Sequence, residues 1–426
     1  MNIIQYPPSE QWESILTRPQ IDNSDLVKLC RNIFADIMSE GDTALYRYTQ
    51  DFDKTTLDNL KVSKQEIKEA NELVSTELKF AIREAYKNIY SFHQKQIPTK
   101  VEFVSEEGFR CWQEARAIEK VGLYIPGGSA PLFSTVLMLA IPANLAGCKE
   151  IILCTPPNQE GKINPAILWT AQRCGVTAIY KIGGIQAIGA MTLGTETIPK
   201  VYKIFGPGNQ YVMAAKQLAN SMGVAIDMPA GPSEVMVLAD DTANADFVAS
   251  DMLSQAEHGP DSQAVLVTTS EKLAKDVEKE ITKQLSILPR EGIATKALQN
   301  SKSIVLKTLD DCISLANEYA AEHLIICTEN YLSIVPQIIN AGSVFLGNYS
   351  PESAGDYASG TNHTLPTNGF AKAFSGVNMD SFIKKITFQE LSSAGLHSLA
   401  PTIETMAEAE QLMAHKLAVS IRIKKI

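Results

Sequence analysis

EVMVLADDTANADFVASDMLSQAEHGPDSQAVLVTT, residues Glu234 to Thr269, decides the fold. It opens on a short apolar, β-rich run, passes through a helical stretch that Gly259-Pro260 ends, and closes on a second apolar run. Outward from it the same alternation recurs, with VGLYI, EIILCT, AIYKI and VYKIF before it and SIVLK, HLIICT and SVFLG after it, most of them followed by Gly, Pro or Asn. Short strands alternating with helices are the pattern of a parallel α/β sheet. IILCT at 151–155 and LIICT at 324–328 resemble each other, which would fit two related lobes, although buried parallel strands converge on such compositions anyway. Asp22 to Gln96 reads instead as amphipathic helix closed by Pro98, a scaffold without obvious chemistry. From Met379 onward two mostly helical pieces end in IRIKKI, and they read as an appendage that packs on a second subunit.

The chain has 426 residues, 45% hydrophobic and 20% charged, so disorder, collagen-like repeats and coiled coil lack compositional support. Lys and Arg number 38 against 48 Asp and Glu, and a net charge of −10 is the wrong sign for holding phosphate backbones, so nucleic acid is not expected as a partner. The 7 cysteines include no C-x-x-C pair, and they read as small buried hydrophobes of a reducing compartment. MNIIQYPPSEQWESIL lacks a basic segment ahead of an apolar core, and no run approaches the roughly 18 apolar residues of a membrane span. A cytoplasmic protein without a membrane partner is expected.

Only 6 histidines occur, so each can be weighed. Gln255 and His258 stand three apart at a helix end, and both can point into one crevice. Asp356 in ESAGDYASGTNHTLPT and His415 in EQLMAHKLAV would complete an N/O site suited to zinc or a neighbouring divalent ion. No cysteine lies near them, which argues against a closed structural zinc. Glu322-His323, where a helical pattern hands over to an apolar strand, has two evenly matched readings: a helix end whose imidazolium complements the dipole, or an acid–base pair at a strand edge. YIPGGSAP, KIGGIQAIGA and IFGPGNQYV are Gly-rich turns that suit a phosphate or simply a tight βα connection, and none matches the full G-x-G-x-x-G fingerprint.

In order, VGLYIPGGSAPLFSTVLMLAIPANLAGC, FGPGNQYV, AGPSEVMVLAD, MLSQAEHGPDSQ, AAEHLII, AGSVFLGNYSPESAGDYASGTNHTLPT and AEAEQLMAHKLAV resemble the histidinol dehydrogenases, from about Val121 to the C-terminus. The resemblance implies a zinc-dependent homodimer, one zinc per subunit, that oxidises L-histidinol through L-histidinal to L-histidine with NAD, the last step of histidine biosynthesis. It implies metal ligands at Gln255, His258, Asp356 and His415, with His415 supplied by the second subunit. It places substrate contacts on Ser233, His323, Glu410 and the metal-site residues, cofactor contacts on Tyr124, Gln186 and Asn209, and the catalytic pair on Glu322 and His323. Alternation and resemblance together give an α/β fold of two incomplete Rossmann-like lobes with parallel sheets, plus small, mostly helical N- and C-terminal tails used in dimerisation. The expected division is an N-terminal tail at 1–21, a first lobe from 22–120 and 236–378 with a helical N-terminal part, an inserted NAD-contacting lobe at 121–235, and a dimerisation tail at 379–426.

Zinc has no accessible redox change, so the electrons must leave to an organic acceptor. His323 is expected as the base for the hydroxyl proton, and Glu322 as the group that activates the water an aldehyde needs before its own oxidation. A zinc hydrolase using a Glu322-activated water is the alternative, and a binding protein for an imidazole compound a further one. A thiohemiacetal on Cys111, Cys148 or Cys154 is not expected, because none is adjacent to a site residue. Glu410 and His415 are five apart, so on one ideal helix they diverge by about 140°, and both reach one site only if the helix breaks between them or long side chains wrap a substrate.

Overall fold

A computed structural model of the chain describes residues 1–19, 24–127, 130–229 and 231–425. Gly128 and Ser129 of the first Gly-rich turn lie outside the described residues. Strand β1 is Asn2–Gln5; β2 and β3 are Val101–Val104 and Phe109–Ala117; β4 to β8 are Lys120–Tyr124, Glu150–Thr155, Ala178–Lys181, Lys203–Phe205 and Ala225–Ile226. Then β9 to β13 are Glu234–Ala239, Gln263–Thr268, Lys302–Val305, His323–Cys327 and Ser343–Leu346, and β14 is Ile383–Leu391. Every β-rich run read from the sequence is a strand.

The first sheet has six parallel strands in the order β1-β11-β10-β9-β12-β13, and the second has five in the order β6-β5-β4-β7-β8. In each, the first strand of the lobe is central, the next two pair outward on one side and the last two on the other. The two lobes therefore repeat one doubly wound topology, with β1 added as an edge strand of the first sheet. IILCT (β5) and LIICT (β12) do not occupy equivalent places: β5 is second in its lobe and β12 fourth. Their likeness reflects burial on both faces, not a shared position.

The helical part of the chain departs from the expected division. Residues 24–94 pack mainly on the second lobe, and touch the first where Asn88 donates to the Ala358 carbonyl and Asn362 meets His93. Helix Ser24–Glu40 lies on Gly184–Leu193 and Gln210–Ser221, helix Lys64–Leu73 on Pro165–Arg173, and helix Thr76–Gln94 on Phe133–Ala146. Helix Phe133–Ala146 shows why: residues 134–143 are all buried, so it has no polar face to give to water, and Ile82, Ala85 and Ile89 cover the side the sheet does not. Cys30, Ile33, Phe34 and Ile37 pack likewise with Ile188 and Ala215.

The tails carry strands the sequence reading missed. Besides β1, a three-stranded antiparallel sheet joins β14 to β3 and β3 to β2. Both its faces are half-exposed, so it contains no apolar run; Trp112 stacks on Phe388 at 5.3 Å, and Arg110 pairs with Glu390 at 2.5 Å. No helix among the described residues is long and apolar enough to cross a membrane.

Candidate active site

A cleft of about 830 Å³ runs between the lobes, lined by Asn209 and Met213 on one side and Ser233, His258 and Ser262 on the other. Topology explains which edges meet there. Asn209 follows β7, at the carboxyl edge of the second sheet where the strand order reverses, the usual ligand crevice of an open α/β sheet. Ser233 precedes β9 and Glu322 precedes β12, both at the amino edge of the first sheet.

Glu322 and His323 are fixed by strand pairing. His323 opens β12 between Val235 of β9 and Ser343 of β13, and Ser343 N–H donates to the Glu322 carbonyl at 2.9 Å. Gly342 permits that approach, since a Cβ there would lie 2.5 Å from the Glu322 carbonyl oxygen. The Glu322 carboxylate accepts the Glu234 N–H at 3.0 Å, and burial pushes its pKa up to about 8.

Two further elements converge on His323. Helix Ala245–Ala256, capped by the Asn244 side chain, places Gln255 in the interior and ends at Glu257, so that His258 turns out into the cleft. Helix Glu352–Tyr357 presents Glu352 and Asp356 one turn apart on one face. His323 Nδ1 lies 3.8 Å from both Glu322 and Glu352, and its Nε2 lies 3.5 Å from Asp356 Oδ1. With its amide nitrogen turned toward Glu352, Gln255 donates to the two carboxylate oxygens at 2.6 and 3.1 Å. Burial opposes the charge on His323, but Glu352 and Glu322 outweigh it and push the imidazole up to about 10; burial pushes Glu352 up to about 8. Burial also disfavours the charge on Asp356, yet His323 holds that carboxyl below its usual range.

Donor atoms of His258, Glu352 and Asp356 lie within 4.8 Å of one another, while His323 Nε2 and Asp356 Oδ1 are buried without an aligned hydrogen-bond partner. Mixed nitrogen and oxygen donors, an excess of carboxylate and orphaned lone pairs fit a divalent cation such as zinc. Glu352 is absent from the sequence reading, although its i, i+4 spacing from Asp356 in ESAGDY was a usable signal. His363 was also missed: its Nδ1 bonds the Asp356 carbonyl at 2.9 Å and its Nε2 the Thr135 hydroxyl at 3.1 Å, and burial lowers its pKa. No local pattern announces it.

Glu410 and His415 do not join this cluster within the chain. Helix Ser393–Ala409 stops, Gln411 takes a left-handed φ of 60°, and helix Met413–Ile423 begins, so the break that geometry required is present. Both residues are exposed.

Tyr124, Gln186 and Asn209 gather along the carboxyl edge of the second sheet. The Tyr124 hydroxyl accepts the Gly184 N–H at 3.1 Å, and burial pushes this phenol up to about 12. Asn209 caps helix Gln210–Ser221, accepting from Tyr211 and Val212 N–H. Behind it Gly206 has φ 131°, and a Cβ would meet the Tyr124 carbonyl oxygen at 2.1 Å. Asp227 accepts the Gly206 N–H at 2.8 Å, Lys216 donates to the Gly206 carbonyl at 2.8 Å, and the two charges pair at 2.5 Å in the interior. Lys216→Met strands the Asp227 charge and is expected to cost about 3–5 kcal/mol in urea unfolding. A loss below about 1 kcal/mol would mean the pair does not hold this turn.

The thiols stand apart from this chemistry. Cys111 is exposed on β3, and the others are buried, with burial pushing Cys148 up to about 12 and Cys154 higher still.

Comparison with known proteins agrees with the geometry. The family model for histidinol dehydrogenase matches residues 16–423. The histidinol dehydrogenase of Bacteroides thetaiotaomicron is 59% identical over 100% of both chains, and that of Bacteroides fragilis is 59% identical with the same coverage. A crystal structure of histidinol dehydrogenase from Elizabethkingia anophelis is 58% identical, covers 100% of this chain and 98% of its own, and superposes with a TM-score of 0.98. The chain belongs to the histidinol dehydrogenase family, whose members are oxidoreductases.

Proposed function

We propose that the protein oxidises L-histidinol through L-histidinal to L-histidine, with NAD as acceptor and one zinc per subunit. The observation that carries this reading is the convergence of Gln255, His258, Glu352, Asp356, Glu322 and His323 in one cluster, of which His258 lines a cleft that also passes Asn209. Gln255, His258 and Asp356 would hold the metal, with His415 from a second subunit. A zinc ion there would supply a fixed point for the substrate's nitrogens and would offset the carboxylate charge that raises the pKa of His323. NAD would supply the two-electron sink that zinc and these side chains lack.

The chain's own residues divide the proton work. His323, locked between β9 and β13, takes the hydroxyl proton of the alcohol and later that of the hydrated aldehyde. Glu322, aimed by the Glu234 N–H, accepts a proton from the water that adds to the aldehyde. Ser233 and the exposed His258 face the cleft where substrate would lie. The second subunit is supported by an unpartnered apolar stripe on the last helix: Met413, Leu417 and Ile421 recur every fourth residue and are 54%, 54% and 45% exposed. Glu410 and His415 flank the start of this helix and are exposed, with His415 on the face away from the stripe.

The test is the number of NADH molecules formed per L-histidinol consumed by zinc-loaded protein in excess NAD⁺. Two, with histidine as product, is the expected result. One, with histidinal accumulating, removes the hydration step and the role given to Glu322. None leaves the metal-dependent hydrolase as the reading to pursue.

A further inference from the structure

Three of the buried polar atoms without a hydrogen-bond partner are Asp53 Oδ2, Thr155 Oγ1 at the carboxyl end of β5 and Gln186 Oε1 in the helix that follows β6. Thr155 and Gln186 are each 1% exposed, and the Gln186 helix begins at Gly184, whose N–H is tied to Tyr124. Buried polar atoms are rarely left unpaired in a finished structure, and an orphaned carboxylate or amide oxygen marks a place where a donor from a ligand belongs.

Asp53 is placed by an unusual local route. Helix Asp42–Tyr48 passes into a single π-helical turn, Thr49–Asp53, and Lys54 then reverses the chain in a left-handed conformation at φ 57°. Such π-turns recur at functional sites because they shift a side chain out of helical register. Beyond the turn, the Thr55 hydroxyl donates to the Gln159 carbonyl and the Lys61 backbone bridges Tyr180, so 53–61 runs along the strand ends of β5 and β6. Asp53 is close enough to Tyr124 for its charge to raise the phenol's pKa. Burial alone pushes the Asp53 carboxyl up to about 6, and no basic side chain counters it. Lys54, the next residue, donates to the Asp51 carbonyl at 2.7 Å, and Lys181 is paired with Glu66 at 2.5 Å.

We propose that Asp53 is a specificity residue for the cofactor, its carboxylate accepting the hydroxyl hydrogens of a ribose diol bound beside Tyr124 and Gln186 and rejecting a ribose that carries a 2′-phosphate. This rests on the NAD reading above. The chemistry follows from charge: a diol offers two donors to a carboxylate whose Oδ2 has no partner, whereas a 2′-phosphate brings a dianion against it. The Gly-rich turns here lack the acidic residue that follows a dinucleotide fingerprint, and Asp53 would supply that carboxylate from a helix packed on the lobe, upstream of it in sequence.

The experiment is fluorescence titration of full-length, zinc-loaded protein with NADH and with NADPH, for wild type, Asp53→Asn and Asp53→Ser, beside melting of the ligand-free proteins. Wild type is expected to prefer NADH by about 100-fold or more. Asp53→Asn should weaken NADH binding by about tenfold, the worth of a charge-assisted hydrogen bond, and Asp53→Ser should narrow the preference to below about tenfold. Ligand-free Asp53→Asn should melt at or above the wild-type temperature, because a buried carboxylate without a partner has been neutralised. Unchanged NADH affinity and preference in both variants overturns the proposal, as does a lowered melting temperature in Asp53→Asn, which would make the carboxylate structural. Wild type that binds neither dinucleotide overturns the cofactor reading itself, and so separates the two failures.

Discussion

His323→Asn is expected to slow oxidation of both histidinol and histidinal by about 10²–10⁴-fold, the usual worth of a positioned general base, while metal content stays at the wild-type level. The expectation follows from where the imidazole stands. Its backbone is paired on both sides, to β9 and to β13, its Nδ1 lies 3.8 Å from Glu322 and its Nε2 faces Asp356 at 3.5 Å. Asn keeps a polar side chain of similar reach and cannot take a proton. Turnover of each substrate and metal content by atomic emission are the measurements. Loss of metal in this variant would move His323 from base to ligand. The neighbouring change, Glu322→Gln, should separate the two steps: its amide oxygen still accepts the Glu234 N–H, so the fold is kept, but water activation is lost and the aldehyde step should fall further than the alcohol step. Equal loss on both substrates would deny Glu322 that role.

Mixing two inactive proteins, His258→Ala and His415→Ala, is expected to restore roughly a quarter of the wild-type sites if each site draws ligands from both chains of a dimer. Random exchange makes half of the dimers mixed, and each mixed dimer has one intact site and one doubly impaired site. The chain by itself gathers His258, Glu352 and Asp356, while His415 is exposed on the far side of a helix break. Activity read after subunit exchange, beside the oligomeric state by sedimentation, gives the answer. No recovery from fully exchanged dimers would mean that His415 serves the site of its own chain or none.

The parts of the site that were legible in sequence are those fixed by short-range geometry. Gln255 and His258 are three apart at a helix that Gly259-Pro260 must end, and Glu322-His323 sits at the junction of a helix and an apolar strand. Glu352 was legible in the same way, four residues before Asp356, but a carboxylate in a short Gly-containing segment drew no notice. His363 was not legible, because its two hydrogen bonds go to Thr135 and Asp356, brought together only by packing of the lobes. Asp53 depends on a π-turn, for which the sequence TQDFD has no periodic signature.

The sequence by itself determined the inner strands of both parallel sheets, since a strand buried on both faces must be a short apolar run between turns; the edge strands β1 and β8 carry no such run. The helical repeat left a break between Glu410 and His415 or side chains wrapped around a substrate as the alternatives, and the structure shows the break. Only the tertiary structure decided that the helices of residues 24–94 pack mainly on the second lobe, and that β14 crosses to β3 to build an antiparallel sheet. It alone set the amino edge of one sheet against the carboxyl edge of the other across a shared cleft. The reason is physical: periodicity records that a face must be buried, and says nothing of which distant surface will bury it. That choice is made by shape and by satisfied hydrogen bonds between segments separated by hundreds of residues.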